Sequence, residues 1–201
     1  AIALPLDVTD AQAVQHAMQK VCDLGPLDGM VYCAGHYTAM DADAIDLPDM
    51  LRHVDINYVG ALHLLGAVLP HMLARGPDAG SFVSLVGSVA GYVGLPRSLA
   101  YGPTKAALIN LAQTLYLDLR DKGVAVSIIN PGFVETPLTA QNRFHMPALL
   151  TPQQAASEIL RGWARGAFEI HFPKRFTLGL KLLALLPWRL YFTLVGRVTQ
   201  A

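Results

Sequence analysis

The chain has 201 residues, 15 basic and 15 acidic side chains, no formal net charge at pH 7, and 53% hydrophobic against 15% charged residues. That length suits one domain with a sizeable core, the apolar content excludes a disordered chain, and the charge balance excludes a general field for nucleic acid. Cys22 and Cys33, the only two cysteines, have a spacing that fits neither a disulfide framework nor a zinc site, so no metal and a reduced, cytoplasmic compartment are the expectation.

AIALPLDVTD at the start has neither a basic region nor a long apolar region and does not read as a signal peptide. Ala1 to Leu6 reads as a short apolar strand, and Thr9, three residues before Gln12, as the N-cap of a helix to about Asp23. Gly25-Pro26 breaks that helix, and MVYCAG follows as a buried strand. A helix is predicted from the Leu47-Pro48 pair to about Arg75, with Leu62, Leu65, Val68 and Leu69 at apolar spacing. Then come SFVSLV as a strand, Ser98 to Lys122 as a helix, and VAVSIIN as a strand after Gly123. Thr151 to Trp163 reads as a helix and FEIHF as a last strand. Alternating helices and nearly continuous apolar strands predict an α/β, doubly wound parallel sheet covered on both faces. Ligands bind such sheets at the carboxyl ends of the strands, here Ala34-Gly35, Gly87-Ser88 and Asn130-Pro131-Gly132.

Tyr101 and Lys105 are four residues apart, hence on one face of a helix. A free phenol titrates near pH 10, and an adjacent ammonium is expected to lower that value toward the working range. An isolated pair of this kind equally describes an exposed helix face; its neighbours decide. Ser88 ends the preceding strand, and Pro131-Gly132 end the following one, at the same sheet edge.

With the Ser88 of GSVAG, the YGPTK pair, PGFVETP, Asn57 in DINYVGALHLLGAVLP, LDVTD and CAG, all in order from Leu4 to about Pro137, the sequence resembles the short-chain dehydrogenase/reductase family. The resemblance implies a Rossmann-type fold and an oxidoreductase that uses NAD or NADP on an alcohol or carbonyl substrate; the alternative is a non-catalytic binding protein of the same fold or an inactive fragment of such an enzyme. It implies that Tyr101 exchanges a proton with the substrate oxygen and that Ser88 orients that oxygen. Lys105 would tune Tyr101 and hold the nicotinamide ribose, and Asn57 would hold a water of a proton relay. Asp7 and Val8 would flank the adenine, Ala34 and Gly35 would line a ribose, and Pro131, Gly132, Val134 and Thr136 would meet the nicotinamide end.

Two departures stand out. Tyr32-Cys33 replace the two asparagines that precede Ala-Gly in the family, which puts a strand-bracing hydrogen bond in question. The family's glycine-rich pyrophosphate turn occurs nowhere in these residues, so the chain is expected to be N-terminally truncated, starting at strand three and leaving unpaired strand edges.

Several residues carry two readings. His36 faces either the cofactor or solvent, and Cys33 reads as a packed strand residue rather than a nucleophile. His145, in the lid segment with Leu138, Phe144, Met146, Leu149 and Leu150, is read as a candidate pocket residue; the apolar lid suggests an apolar substrate. Residues 1–173 form the expected oxidoreductase domain, and Lys174 to Ala201 an apolar, basic helical extension. That extension holds Lys174, Arg175, Lys181, Arg189 and Arg197 without an acid, and its apolar stretches are too short to span a bilayer. It reads either as a helix lying on a membrane surface or as a cover for the substrate pocket or a contact between copies in a homo-oligomer.

Overall fold

A computed structural model describes residues 1–141 and 146–199; Phe144 and His145 lie outside the described residues. Four parallel strands, β1 (Gly29–Tyr32), β2 (Ser81–Val86), β3 (Val124–Pro131) and β4 (Glu169–Phe172), form one sheet in the order β1-β2-β3-β4. The register runs Tyr32 to Leu85, Leu85 to Ile128, and Pro131 to Phe172, so the carboxyl ends of the strands lie along one edge. Helices α1 (Ala11–Leu24), α2 (Leu47–Val54), α3 (Gly60–Ala74), α4 (Tyr101–Leu119), α5 (Pro137–Ala140), α6 (Pro152–Ala164), α7 (Lys174–Ala184) and α8 (Trp188–Thr199) precede, connect or follow the strands.

Strand alternation divides the core in two. Met30, Tyr32, Val83, Leu85, Val126 and Ile128 point to one face, where Val14 of α1, Leu65 and Val68 of α3, and Leu108 of α4 cover them. Burying each such side chain contributes roughly 1.5–3 kcal/mol. On the other face Ile129, Ile170 and Phe172 pack against Ala155, Ile159 and Trp163 of α6. The Trp163 indole N–H donates to Ser84 Oγ at 2.8 Å, and Ser84 shares a 2.5 Å hydrogen bond with Ser127. The run Leu47–Ala74 is helical throughout and, by length and composition, long and apolar enough to cross a bilayer. Its buried residues Ala61, Leu65, Val68 and Met72 instead belong to the protein core.

Three local expectations need correction. Ala1 to Leu6 is not a strand: among the described residues nothing pairs with it or with the outer edge of β1, and Ile2, Leu4 and Leu6 remain exposed. A strand without a ladder partner gains no hydrogen bonds, and Pro5 has no N–H to give. Asp10, not Thr9, caps α1, because its carboxylate accepts from both Gln12 N and Ala13 N while Thr9 turns back to Asp7. The Ser98–Lys122 helix is shorter than expected, since α4 starts at Tyr101 and Arg120–Lys122 tighten into a 3-10 turn before Gly123 at φ 75°. The capping box at Thr151 and Gln154 starts α6 as its sequence requires.

Candidate active site

The polar residues named from the sequence meet beyond the ends of β1, β2 and β3. Ser88 leaves β2 and caps the 3-10 turn Val89–Gly91, its hydroxyl accepting from Ala90 N at 3.1 Å. That turn lies tight against α4, since a Cβ on Gly91 would stand 2.7 Å from the Lys105 carbonyl carbon. Ser88 is thereby held over the first turn of α4 and hydrogen-bonds Tyr101. Lys105 sits one turn further on, 3% exposed, its ammonium donating to Val86 O at 2.8 Å and lying 5.4 Å from the Tyr101 ring centre. The other two ammonium hydrogens have no partner among the described residues. They share their surroundings with Gly35, where a Cβ would be 3.8 Å from both Lys105 Nζ and Asn57 Oδ1.

Asn57 lies in a π-helical turn, Asp55–Val59, between α2 and α3. Its buried amide clamps the loop after β1: Oδ1 accepts from His36 N at 2.7 Å, and Nδ2 donates to His36 O and to Thr104 Oγ1, both at 3.0 Å. Both amide hydrogens are therefore used, which leaves a water only a lone pair on Oδ1 or the main-chain carbonyl to bind. The turn has a second consequence. Gly60 N–H reaches five residues back to Asp55 O, so the Ile56 carbonyl loses its usual helical donor. The Tyr32 hydroxyl donates to that carbonyl instead. A side chain at Gly60 would collide with the Tyr32 hydroxyl. The brace missing from the sequence pattern is thus supplied by a different residue type from the same strand.

The electrostatics differ from the expectation. Burial pushes the Tyr101 phenol up to about 12, with the Ser88 hydrogen bond working against the rise. Burial also pushes the Lys105 ammonium down, to about 8, so it still carries its charge near neutral pH. Near neutral pH Tyr101 is a protonated phenol, a proton donor rather than a preformed base.

A cleft of about 140 Å³ opens between Ser88, Tyr101, Leu95, Pro96, Gly132, Leu138 and Phe176. Tyr37, Phe133, Phe176 and Ser98 were not singled out from the sequence. Tyr37 stands edge-on to Tyr101 with ring centres 5.0 Å apart, and Phe133 lies 5.7 Å from Phe176. Ser98 Oγ is buried in this wall without a partner among the described residues. These aromatics come from four separate segments, and no spacing links them.

The remaining named positions lie around this centre. Pro131 ends β3 and Gly132 lines the cleft, with Gly132 N–H donating to Phe172 O at 2.7 Å. Val134 bridges to Leu150, and Thr136 caps α5. Ala34 packs on the core beside Gly35, while Val8 packs near Gly60 and its carbonyl receives His63 at 3.0 Å. Asp7 is held by Thr9 N and Oγ1, which draw its carboxyl below the ordinary range. Cys33, expected to be packed, is exposed past the end of the short strand β1.

His36 is not free in solvent. Its Nε2–H donates to Asp49 Oδ1 at 2.6 Å, and the His53 ring lies 4.4 Å away. These three residues are close enough to hold a metal ion. However, His53 Nδ1 donates to Asp49 O and Nε2 accepts from Thr38 N, so both of its nitrogens are engaged. The Asp49–His53 spacing of four on α2 was the available sequence signal.

Comparison with known proteins places this geometry. The sequence pattern of the family described as short chain dehydrogenase matches residues 1–146. An uncharacterized oxidoreductase of Myxococcus xanthus is 36% identical over 183 residues, covering 90% of this chain and 71% of that protein. The 2-keto-3-deoxy-L-fuconate dehydrogenase of Xanthomonas campestris is 35% identical over 136 residues, covering 68% of this chain and 44% of its own length. A Burkholderia cenocepacia short chain dehydrogenase, solved in complex with NADP, superposes with a TM-score of 0.84 at 19% identity, over 96% of this chain and 80% of that one. The matched pattern, together with the parallel sheet that gathers Ser88, Tyr101 and Lys105 at one edge, makes the conclusion plain: this chain belongs to the short-chain dehydrogenase family.

Proposed function

We propose that the protein is an NAD(P)-dependent oxidoreductase that interconverts an apolar alcohol and its carbonyl compound. The observation that carries this reading is the convergence of Ser88, Tyr101 and the buried Lys105 at one end of a mostly apolar cleft. The nicotinamide, when bound, supplies or accepts the hydride. The residues present fit its ribose: two unused ammonium hydrogens of Lys105 beside the bare Cα of Gly35 suit a vicinal diol. Solved relatives in complex with NADP, one of them described as a gluconate 5-dehydrogenase, support that class of cofactor.

In the reducing direction Tyr101, protonated near neutral pH, gives its phenolic proton to the substrate oxygen. Ser88 donates a hydrogen bond to the same oxygen as its charge grows. Lys105 stabilises the phenolate left behind, and the Asn57 clamp on His36 fixes the loop that carries Gly35. Leu95, Pro96, Leu138 and Phe176 exclude water and favour an apolar substrate.

The test follows absorbance at 340 nm with NADH and NADPH across a series of apolar ketones. Lys105→Met is expected to raise the KM for the cofactor and lower kcat, because Lys105 acts on both. Unchanged kinetics in that variant would overturn the proposal.

A further inference from the structure

Helices α7 and α8 have two unlike faces. Inward, Thr177 is fully buried, Phe176 lines the cleft, Lys181 pairs with Glu169, and the Tyr191 hydroxyl donates to Gly94 O. Outward, Leu178, Leu182 and Leu185 follow at i, i+4 and i+7 on one side of α7 and its end, with Leu182 66% and Leu185 80% exposed. Trp188 and Phe192 continue the surface on α8, 65% and 63% exposed and stacked on each other at 5.8 Å. Residues docked this firmly on one side, yet apolar on the other, form a built surface rather than a frayed end.

Charge selects the occupant. Once Lys181 is taken by Glu169, the exposed Lys174, Arg175, Arg189 and Arg197 remain, none with an ion-pair partner among the described residues. No acid lies between residues 174 and 201. In a twofold contact between two copies the same patch would meet itself, bringing cations against cations. An anionic bilayer meets both halves of the surface: leucine, tryptophan and phenylalanine enter the interface while the basic groups rest on headgroups. We propose that the outer face of α7 and α8 docks the protein on an anionic lipid surface. One helix, about 10 Å across, then separates the bilayer from the cleft wall at Phe176. This inference does not depend on the catalytic proposal.

The test uses the full-length protein with vesicles of phosphatidylcholine alone or mixed with phosphatidylserine. Cosedimentation is expected with the anionic vesicles, weakened by salt. Trp188 emission should shift to shorter wavelength, and the shift should be absent in Trp188→Leu. Arg175→Gln and Arg189→Gln should each weaken partitioning about fivefold. Leu182→Gln with Leu185→Gln should weaken it by about tenfold or more, with the circular dichroism spectrum unchanged because both side chains are already exposed. Protein that stays in the supernatant with both vesicle types would overturn the proposal, as would unchanged partitioning of the leucine variant. A dimer in solution that the leucine variant dissolves, without vesicle binding, would overturn it in favour of a second copy.

Discussion

Replacing Tyr32 by phenylalanine removes one oxygen and keeps the ring that fills the core. That oxygen is the donor to the Ile56 carbonyl, which the π turn has already deprived of its helical N–H. An acceptor left without a partner inside the fold costs about 1–3 kcal/mol. For a chain of this length each kcal/mol lowers Tm by about 2–4 °C, so a fall of about 2–12 °C is expected. The functional effect should be larger than stability alone predicts. The π turn that Tyr32 braces also carries Asn57, whose amide clamps His36, so loosening the turn should disturb that clamp. Burial pushes the Tyr32 phenol up to about 12, so the donor persists across the working range and the loss should not vary with pH below that value. Thermal unfolding by circular dichroism and steady-state turnover measure the two effects. A Tyr32→Phe protein with Tm within about 1 °C of the parent and unchanged kcat/KM would refute the brace.

Lys105 gives two predictions from its pKa near 8. Its ammonium is present below that value and lost above it, so kcat/KM for carbonyl reduction should fall about tenfold per pH unit above pH 8; a flat profile to pH 10 would contradict this. The unfolded lysine holds its proton to about pH 10.4, so between pH 8 and that value the unfolded state binds more protons and wild-type stability gains on Lys105→Met as pH rises. Thermal unfolding of both proteins at pH 7 and pH 10 should therefore show the variant relatively better at pH 7, and the reverse order would refute the assignment of a buried ammonium.

The sheet was legible because SFVSLV and VAVSIIN are apolar runs between helices, and the site because Ser88, Tyr101 and Lys105 fall at strand and helix ends. Ala1 to Leu6 misled because composition makes a strand plausible, whereas a partner makes it real. Thr9 and Asp10 are adjacent caps by residue type, and only the carboxylate reaches two N–H groups at once. The Tyr32 brace was illegible because a π turn has no residue signature and the contact spans 24 positions. The sign of the Tyr101 shift depends on burial, which the Tyr-Lys spacing does not encode. His36 looked like a loop histidine because its partner Asp49 lies 13 residues away on another element.

The central claim is that Tyr101 carries the proton at the reacting oxygen while Lys105 holds the cofactor. Tyr101→Phe separates these roles, since it removes the only ionisable oxygen at that position and leaves Lys105 bonded to Val86 O. The measurement is paired: cofactor affinity by NAD(P)H fluorescence and turnover at 340 nm, on the same preparation. The account predicts cofactor binding within about twofold of the parent and turnover lowered by about 10²–10⁴ or more, the range that general acid–base catalysis supplies. A Tyr101→Phe protein that keeps more than a small fraction of wild-type turnover would contradict it.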